Sequence, residues 1–222
     1  MKLLLTSGGV QNPTIHRALV EMLPKPIEEC TALCIPTAQY GHPYVGMGVK
    51  PWGFVSGNEE SQMTQLGWRS VGLLELTALP SIPGDRWVPV VREADVFLAA
   101  GGDSLYLAHW LRESGFSDMM PSLDGVWVGL SGGSMVMTPR IGEWFMGWQP
   151  PSGDDRALGV VDFAIYPHLE HPHLPTNTMA NAEKWFSMID CPAYAIDDAT
   201  AIRVVDGNVD VVSEGQWRHF PR

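Results

Sequence analysis

The sequence predicts an α/β fold in which a mostly parallel sheet carries helices on both faces. Short apolar runs alternate with longer stretches of helical spacing, and three of the runs end in glycine-rich turns. Repeated units of strand, turn and helix are typical of parallel sheets that are covered on both sides. The 222 residues, 45% of them hydrophobic, suit a single domain over 1–222, and no linker-like segment divides them.

The expected elements follow in order along the chain. Buried strands are predicted at short apolar runs: Lys2–Thr6, Thr31–Pro36, Val71–Leu76, Val96–Ala100 and Val126–Leu130. Helices are predicted from apolar residues at helical spacing: Asn12–Met22 and Ser104–Ser114. Closely spaced runs near the C-terminus predict a small antiparallel extension of the sheet: Ala193–Ile196, Ala201–Val205 and Val209–Ser213.

The glycine-rich turns at Gly8, Gly101 and Gly132 each follow a predicted strand. Ligands of parallel sheets bind at the carboxyl ends of the strands, so we expect the three turns to share one crevice.

One of these turns carries a candidate nucleophile. Gly129–Gly133 reads G-L-S-G-G, a G-x-S-x-G pattern with an apolar strand before it and a helix-like stretch after it. This context is what a nucleophile elbow requires, because flanking glycines permit a cramped turn that exposes the serine hydroxyl. Ser131 is therefore the predicted nucleophile, and a plain Gly-Ser turn is the alternative.

A serine needs a general base, and His168 is the predicted one. It follows an apolar run that ends at Pro167, so it lies at a strand terminus as Ser131 does. His171 and His173 compete for this role. The same three histidines also suit a metal site or an ordinary polar loop.

The third member should be a carboxylate that orients the imidazole. Asp197 and Asp198 end a predicted strand, and Asp198 is the predicted acid. Asp197, Glu143 and Asp162 are its rivals, and an adjacent acidic pair in an ordinary solvated turn is the alternative.

An oxyanion hole needs backbone amides aimed at the tetrahedral oxygen. Gly132 follows the nucleophile, and the Gly101–Gly102 pair permits close approach of the backbone to a ligand. We therefore predict the amides of Gly102 and Gly132 as donors, with a phosphate-binding turn or a plain tight turn as the alternative for the pair. The chain has neither a G-x-G-x-x-G nor a Walker-type motif, and no cofactor is expected.

Composition excludes several classes of partner. A net charge of −11 with only 14 basic residues argues against nucleic acid. No apolar run approaches the roughly 20 residues of a membrane helix. Three sparse cysteines, among them Cys30 and Cys34, form neither a disulfide framework nor a complete metal site, which indicates buried free thiols and a cytoplasmic protein.

Two long segments rich in glycine, proline and aromatic residues remain: Tyr40–Gln65 and Trp144–Arg156. Loops of this length are typical of lids and pocket walls, and they equally suit the contacts of a homodimer.

Taken together, these motifs resemble the dipeptidase E and cyanophycinase family of serine peptidases, whose fold is like that of class I glutamine amidotransferases. Five anchors carry the resemblance across nearly the whole chain: Leu4–Gly9, Phe97–Ser104, the elbow at Ser131, Tyr166–His168 and Ile196–Ile202. The resemblance implies Ser131 as nucleophile and His168 as base. It places the acid either near Asp198 or, as in other members, soon after the nucleophile at Glu143.

The chain departs from the family at three places. Gly132 stands where family elbows usually have alanine, and Asp103 stands where asparagine usually follows the glycine pair. Members specific for N-terminal aspartate place arginine shortly after the histidine. In this chain the corresponding segment, Glu170–Phe186, contains no arginine and a single lysine, Lys184. This difference argues against aspartyl specificity.

The sequence thus predicts a serine peptidase of the exopeptidase or dipeptidase type that acts on short peptides or related small amides. A glutamine amidotransferase is disfavoured because no cysteine lies at the elbow. The alternative is a catalytically silent protein of the same fold that binds a small ligand.

Overall fold

The computed structural model describes residues 1–43, 49–58, 61 and 63–222. The strands within this part of the chain are β1 (Lys2–Thr6), β2 (Thr31–Ile35), β3 (Ser70–Leu73), β4 (Val96–Ala99), β5 (Val126–Leu130), β6 (Ala164–Tyr166), β7 (Ala193–Ile196), β8 (Thr200–Val205), β9 (Asn208–Ser213) and β10 (Trp217–Phe220). The helices are α1 (Pro13–Met22), α2 (Ala38–Gly41), α3 (Val49–Ser56), α4 (Gly84–Glu93), α5 (Ser104–Glu113), α6 (Phe116–Met119), α7 (Gly132–Met135) and α8 (Met179–Phe186).

Seven strands form the main sheet, in the order β3-β2-β4-β5-β1-β8-β9. The first five are parallel, and β8 and β9 continue the sheet in antiparallel pairing. In this order β5 lies between β4 and β1, so the carboxyl ends of these three strands are neighbours. The predicted fold class, a mostly parallel sheet within an α/β protein, is confirmed.

Both faces of the main sheet are covered, as a parallel sheet requires. Successive side chains of a strand point to opposite faces. In β1, Leu3 and Leu5 therefore pack in one core with α5, while Leu4 packs in the other core with α1. All three leucines are buried. A strand that is buried on both faces reads as a continuous apolar run, which is why the sequence revealed it.

The first helix begins where the sequence predicted. The Asn12 side chain accepts a hydrogen bond from the amide of Ile15 at 2.9 Å, and Pro13 occupies the first turn, where its missing N–H costs nothing. The prediction of a strand over Val71–Leu76 was partly wrong, because β3 ends at Leu73 and the Glu75 side chain caps a 3-10 helix instead.

The C-terminal region corrects the sequence prediction in one respect. β8 and β9 form the expected antiparallel extension, but Ala193–Ile196 does not belong to it. This strand, β7, lies at the centre of a separate three-stranded sheet, in parallel pairing with β6 and antiparallel pairing with β10. A short apolar run does not specify which neighbour a strand pairs with, so the sequence pattern missed this second sheet.

No helix in the described part of the chain is long and apolar enough to cross a membrane.

Candidate active site

The nucleophile candidate lies at the boundary between β5 and α7. The amide of Ser131 donates to the carbonyl oxygen of Thr6 at 3.0 Å, and the hydroxyl of Ser134 donates to the same oxygen at 2.7 Å. The end of β1 thus anchors the turn that follows β5. α7 is only four residues long, shorter than the helix expected after the elbow.

The backbone of Ser131 is strained, with φ at 48° and ψ at −109°. A non-glycine residue with this φ is held there by its surroundings, and such strain is typical of catalytic turns. The surroundings are crowded backbone. A methyl group on Gly132 would lie 2.3 Å from the carbonyl oxygen of Gly102, and one on Gly133 would lie 2.4 Å from that of Ala99. Glycine at both positions is therefore a steric requirement, which explains why alanine does not follow Ser131.

His168 lies beside the nucleophile. Its Nε2 is 2.9 Å from the hydroxyl oxygen of Ser131, and its side chain is 23% exposed. His168 follows β6 and has φ at 55°, in the left-handed region, so the chain turns at the end of this strand. The amide of Leu169 donates to the carbonyl oxygen of Ile196 at 3.1 Å, which ties this turn to the end of β7.

Asp198 is the carboxylate that contacts His168, with Oδ1 2.7 Å from Nδ1. Burial pushes the pKa of Asp198 upward, but hydrogen bonds and charge from His168 and a hydrogen bond from Ser7 outweigh it and hold the pKa below its usual value. The carboxylate therefore remains charged at neutral pH, as an orienting acid must.

The rival carboxylates lie elsewhere. Asp197 caps its own turn, where it accepts from the amide of Ala199 and the hydroxyl of Thr200, and its Oδ2 accepts from the amide of Gln216. Glu143 is exposed in a 3-10 helix, and Asp162 is exposed before β6.

Sequence reasoning missed Ser7 as a member of this site. Its buried hydroxyl donates to Oδ1 of Asp198 at 2.6 Å and accepts from the amide of His168 at 2.7 Å. Ser7 thus links β1 to both the base and the acid. Its neighbour Gly8 leaves room for Asp198, since a methyl group there would lie 2.7 Å from the Asp198 Cβ. The sequence did contain a feature that could have identified Ser7. It directly follows a buried strand and belongs to the glycine-rich turn that was predicted to line the crevice.

Gly102 and Gly132, the predicted oxyanion donors, are close neighbours across the crevice. Gly102 has φ at 133°, which only glycine adopts readily. Among the hydrogen bonds between described residues, none is donated by the amide of Gly102 or Gly132. Neither amide thus has a protein acceptor among the described residues, as the predicted role requires.

Two of the three histidines of the alternative metal site have protein partners. Both ring nitrogens of His168 face protein partners, and Nδ1 of His171 accepts from the amide of His173 at 3.1 Å. Within the described residues no group of three histidine, cysteine or acidic side chains could hold a metal ion. Cys30 and Cys34 are buried free thiols, and burial raises the pKa of Cys34 to about 12.

Asp103, which follows the Gly101–Gly102 pair, binds the segment Trp144–Arg156 through a hydrogen bond. One oxygen of this carboxylate accepts from the amide of Tyr106 at 2.8 Å, and the other accepts from the amide of Trp148 at 2.5 Å. Asparagine, the usual family residue, has only one accepting side-chain oxygen. The departure at Asp103 therefore lets one side chain cap α5 and hold the neighbouring loop.

The segment Tyr40–Gln65 contains the end of α2, the whole of α3 and a 3-10 helix. Tyr44, Gly46 and Gly48, which contributed to the prediction of a lid, lie outside the described residues.

Comparison with known proteins identifies the family and the fold of this chain. The model of Peptidase family S51 matches residues 3–212. A crystal structure of a protein described as a peptidase E, from Listeria monocytogenes EGD-e, is similar at 17% identity and a TM-score of 0.70, covering 96% of this chain and 98% of that one. A crystal structure of a peptidase from an acI-B1 Actinobacterium is similar at 18% identity and a TM-score of 0.70, covering 99% of this chain and 93% of that one. No curated protein sequence matches at a significant level.

At these identities the two structures show a shared fold, while the family match extends over almost the whole sequence. The resemblance drawn from the sequence motifs is thereby confirmed. The chain belongs to peptidase family S51 and is a serine peptidase.

Proposed function

We propose that this peptidase hydrolyses an amide bond of a short peptide through an acyl-enzyme on Ser131, with His168 as general base and Asp198 as orienting acid. The observation that carries the proposal is the continuous line of contacts from the Ser131 hydroxyl to His168 Nε2 (2.9 Å) and from His168 Nδ1 to Asp198 (2.7 Å). No observation favours the alternative of a catalytically silent binding protein.

The reaction begins when the Ser131 oxygen bonds to the substrate carbonyl carbon and its proton passes to Nε2 of His168. The carbonyl electron pair moves onto oxygen, where the amides of Gly102 and Gly132 donate to the developing charge. The carboxylate of Asp198 accepts a hydrogen bond from the Nδ1–H of His168, which fixes the tautomer and stabilises the imidazolium.

Collapse of this intermediate breaks the carbon–nitrogen bond, and His168 returns its proton to the departing amine. A water molecule then attacks the acyl-enzyme while His168 accepts its proton. Collapse of this second tetrahedral intermediate breaks the bond between the carbonyl carbon and the Ser131 oxygen. His168 returns its proton to that oxygen, which releases the acid product and restores the Ser131 hydroxyl.

The substrate class follows from the segment after the base. Glu170–Phe186 contains no arginine, and its single cation, Lys184, is exposed on α8. A planar guanidinium binds a carboxylate far better than a flexible ammonium group does. We therefore propose dipeptides and other short peptides whose N-terminal residue need not be acidic. The cytoplasmic location, the homodimer and the single domain remain predictions from the sequence.

Intact-protein mass spectrometry after treatment with a fluorophosphonate tests the proposed nucleophile and base. We expect one adduct on the wild-type chain, no adduct on Ser131→Ala, and labelling of His168→Ala slowed by at least about 10³-fold. Equal labelling of wild type and Ser131→Ala would contradict the proposed nucleophile. A dipeptide library then tests specificity, and a strict requirement for N-terminal aspartate would contradict the proposed substrate class.

A further inference from the structure

A buried carboxylate directly follows the predicted oxyanion donor Gly102. Asp103 is only 4% exposed, and the mechanism proposed above gives it no role. Burial raises the pKa of this carboxyl, while the amides of Tyr106 and Trp148, which donate to it, oppose the rise. Because a buried carboxylate is costly unless it is hydrogen-bonded, these contacts explain how the chain keeps one at this position.

Three contacts of Asp103 join the turn after β4 to three other segments. Its amide donates to the carbonyl oxygen of Ala38, on α2, at 2.8 Å. Its Oδ1 accepts from the amide of Tyr106, on α5, at 2.8 Å, and its Oδ2 accepts from the amide of Trp148 at 2.5 Å. The residue after the oxyanion donor is therefore held from three sides.

The segment that contains Trp148 is itself well anchored. At its base, Asp155 is 4% exposed, forms an ion pair with Arg140 at 2.8 Å and accepts from the amide of Gly142 at 2.8 Å. The Trp148 ring packs edge-on against the Tyr106 ring, with centroids 5.5 Å apart. The hydrogen bond from the Trp148 amide thus connects the oxyanion turn to a fixed part of the molecule.

The orientation of the Gly102 amide depends on such neighbours. Its φ of 133° relates the N–H to the peptide that leads into Asp103, and a glycine has no side chain to restrain this angle. A hydrogen-bond donor stabilises the charge of a transition state best when its orientation is fixed before the reaction. Fixing Asp103 therefore also restrains the direction of the Gly102 N–H.

We propose that Asp103 is a positioning residue that holds the Gly102 amide in the orientation of an oxyanion donor. Its second carboxylate oxygen is the essential feature, because asparagine would present an NH2 group to one of the two amides that now donate to the carboxylate. The inference rests on the proposed function, since it concerns the same oxyanion hole. It predicts that loss of the second oxygen slows the chemical step and leaves binding of the reactant unchanged.

The test measures fluorophosphonate labelling of Ser131 at pH 8, where the carboxyl is ionised, and separates the saturating rate from the half-saturating concentration of the probe. For Asp103→Asn we expect the saturating rate to fall about tenfold, while the half-saturating concentration stays within about twofold of wild type. A change in folding alone would not divide the two quantities in this way.

Two variants of Trp148 separate its amide from its ring. Trp148→Pro lacks the N–H that donates to Asp103, and we expect its saturating rate to fall about tenfold as well. Trp148→Ala keeps the N–H, and we expect its rate to stay within about threefold of wild type. The double variant Asp103→Asn with Trp148→Pro should be no slower than the slower single variant, because both substitutions remove the same hydrogen bond.

Asp118→Asn is the matched control, since it makes the same change at an exposed carboxylate on α6, and its labelling should equal that of wild type. Thermal unfolding of each variant identifies any loss of folding, and Trp148→Pro provides the test if Asp103→Asn does not fold. If Asp103→Asn is labelled at the wild-type rate, or if only its half-saturating concentration changes, the inference is wrong and the proposed function stands. If wild type takes no adduct, the proposed function fails and this inference with it.

Discussion

The two halves of the proposed catalytic site are built by different forces. The elbow half, Gly129–Gly133, is a contiguous segment whose shape is fixed by backbone packed against backbone, and its glycines leave no room for side chains. The base–acid half joins His168 and Asp198 to Ser7, which come from three distant parts of the chain and are held by side-chain hydrogen bonds.

This difference predicts which kind of substitution inactivates each half of the site. The elbow should fail by steric conflict, because added atoms collide with main chain that cannot move away. The base–acid half should fail by loss of a donor or an acceptor, and a polar replacement of suitable geometry should restore it. The predictions below, from the largest expected effect to the smallest, separate these two modes.

The largest effect is expected from Asp198→Asn. This substitution keeps the size of the side chain but gives His168 Nδ1 the wrong partner, so the imidazole loses its productive tautomer. We expect fluorophosphonate labelling of Ser131 to slow by roughly 10⁴-fold at pH 7. Glu143→Gln, a change at the rival carboxylate, should leave the rate unchanged. If Glu143→Gln slowed labelling more than Asp198→Asn, Glu143 would be the orienting acid instead of Asp198.

An intermediate effect is expected from Gly132→Ala, the substitution that recreates the usual family elbow. The added methyl group would lie 2.3 Å from the Gly102 carbonyl oxygen, so the oxyanion turn must shift. We expect a loss of about 1–3 kcal/mol in stability and labelling slowed by about 10²-fold.

Gly84→Ala is the control, because the structure has room for a methyl group at Gly84. A methyl group there meets only Val88, at 3.9 Å, on the first turn of α4. Chemical denaturation should show it as stable as wild type, or slightly more so. If the Gly132→Ala variant were labelled at the wild-type rate, the elbow would be less rigid than its packing indicates.

The smallest effect is expected from Ser7→Ala. The substitution leaves the amide of His168 without its acceptor and removes one donor to Asp198, but the His168–Asp198 contact remains. We expect a loss of about 1–3 kcal/mol in stability from the unpaired amide and labelling slowed about tenfold. Ser117→Ala, on α6, should change neither quantity, because the Ser117 hydroxyl makes no hydrogen bond to another described residue. If Ser7→Ala were as inactive as Asp198→Asn, the third segment would be as essential as the acid itself.

Much of this protein was predictable from local pattern. β1 and β5 were predicted with their observed bounds, because a strand buried on both faces is a continuous apolar run. The elbow was predictable since all its parts lie within five consecutive residues. His168 was found because it directly follows a strand. The second sheet was missed, since the short apolar run of β7 indicates a strand but does not indicate which strands it pairs with.

The sequence by itself determined the parallel sheet, the family and the turn that presents Ser131. Only the tertiary structure decided that Asp198, rather than Asp197 or Glu143, contacts His168, and that Ser7 joins them across 161 and 191 residues of chain. The physical reason is the range of the interactions. Hydrophobic periodicity and glycine geometry act over a few residues and appear in the sequence, whereas a hydrogen bond between side chains depends on how distant strands are packed.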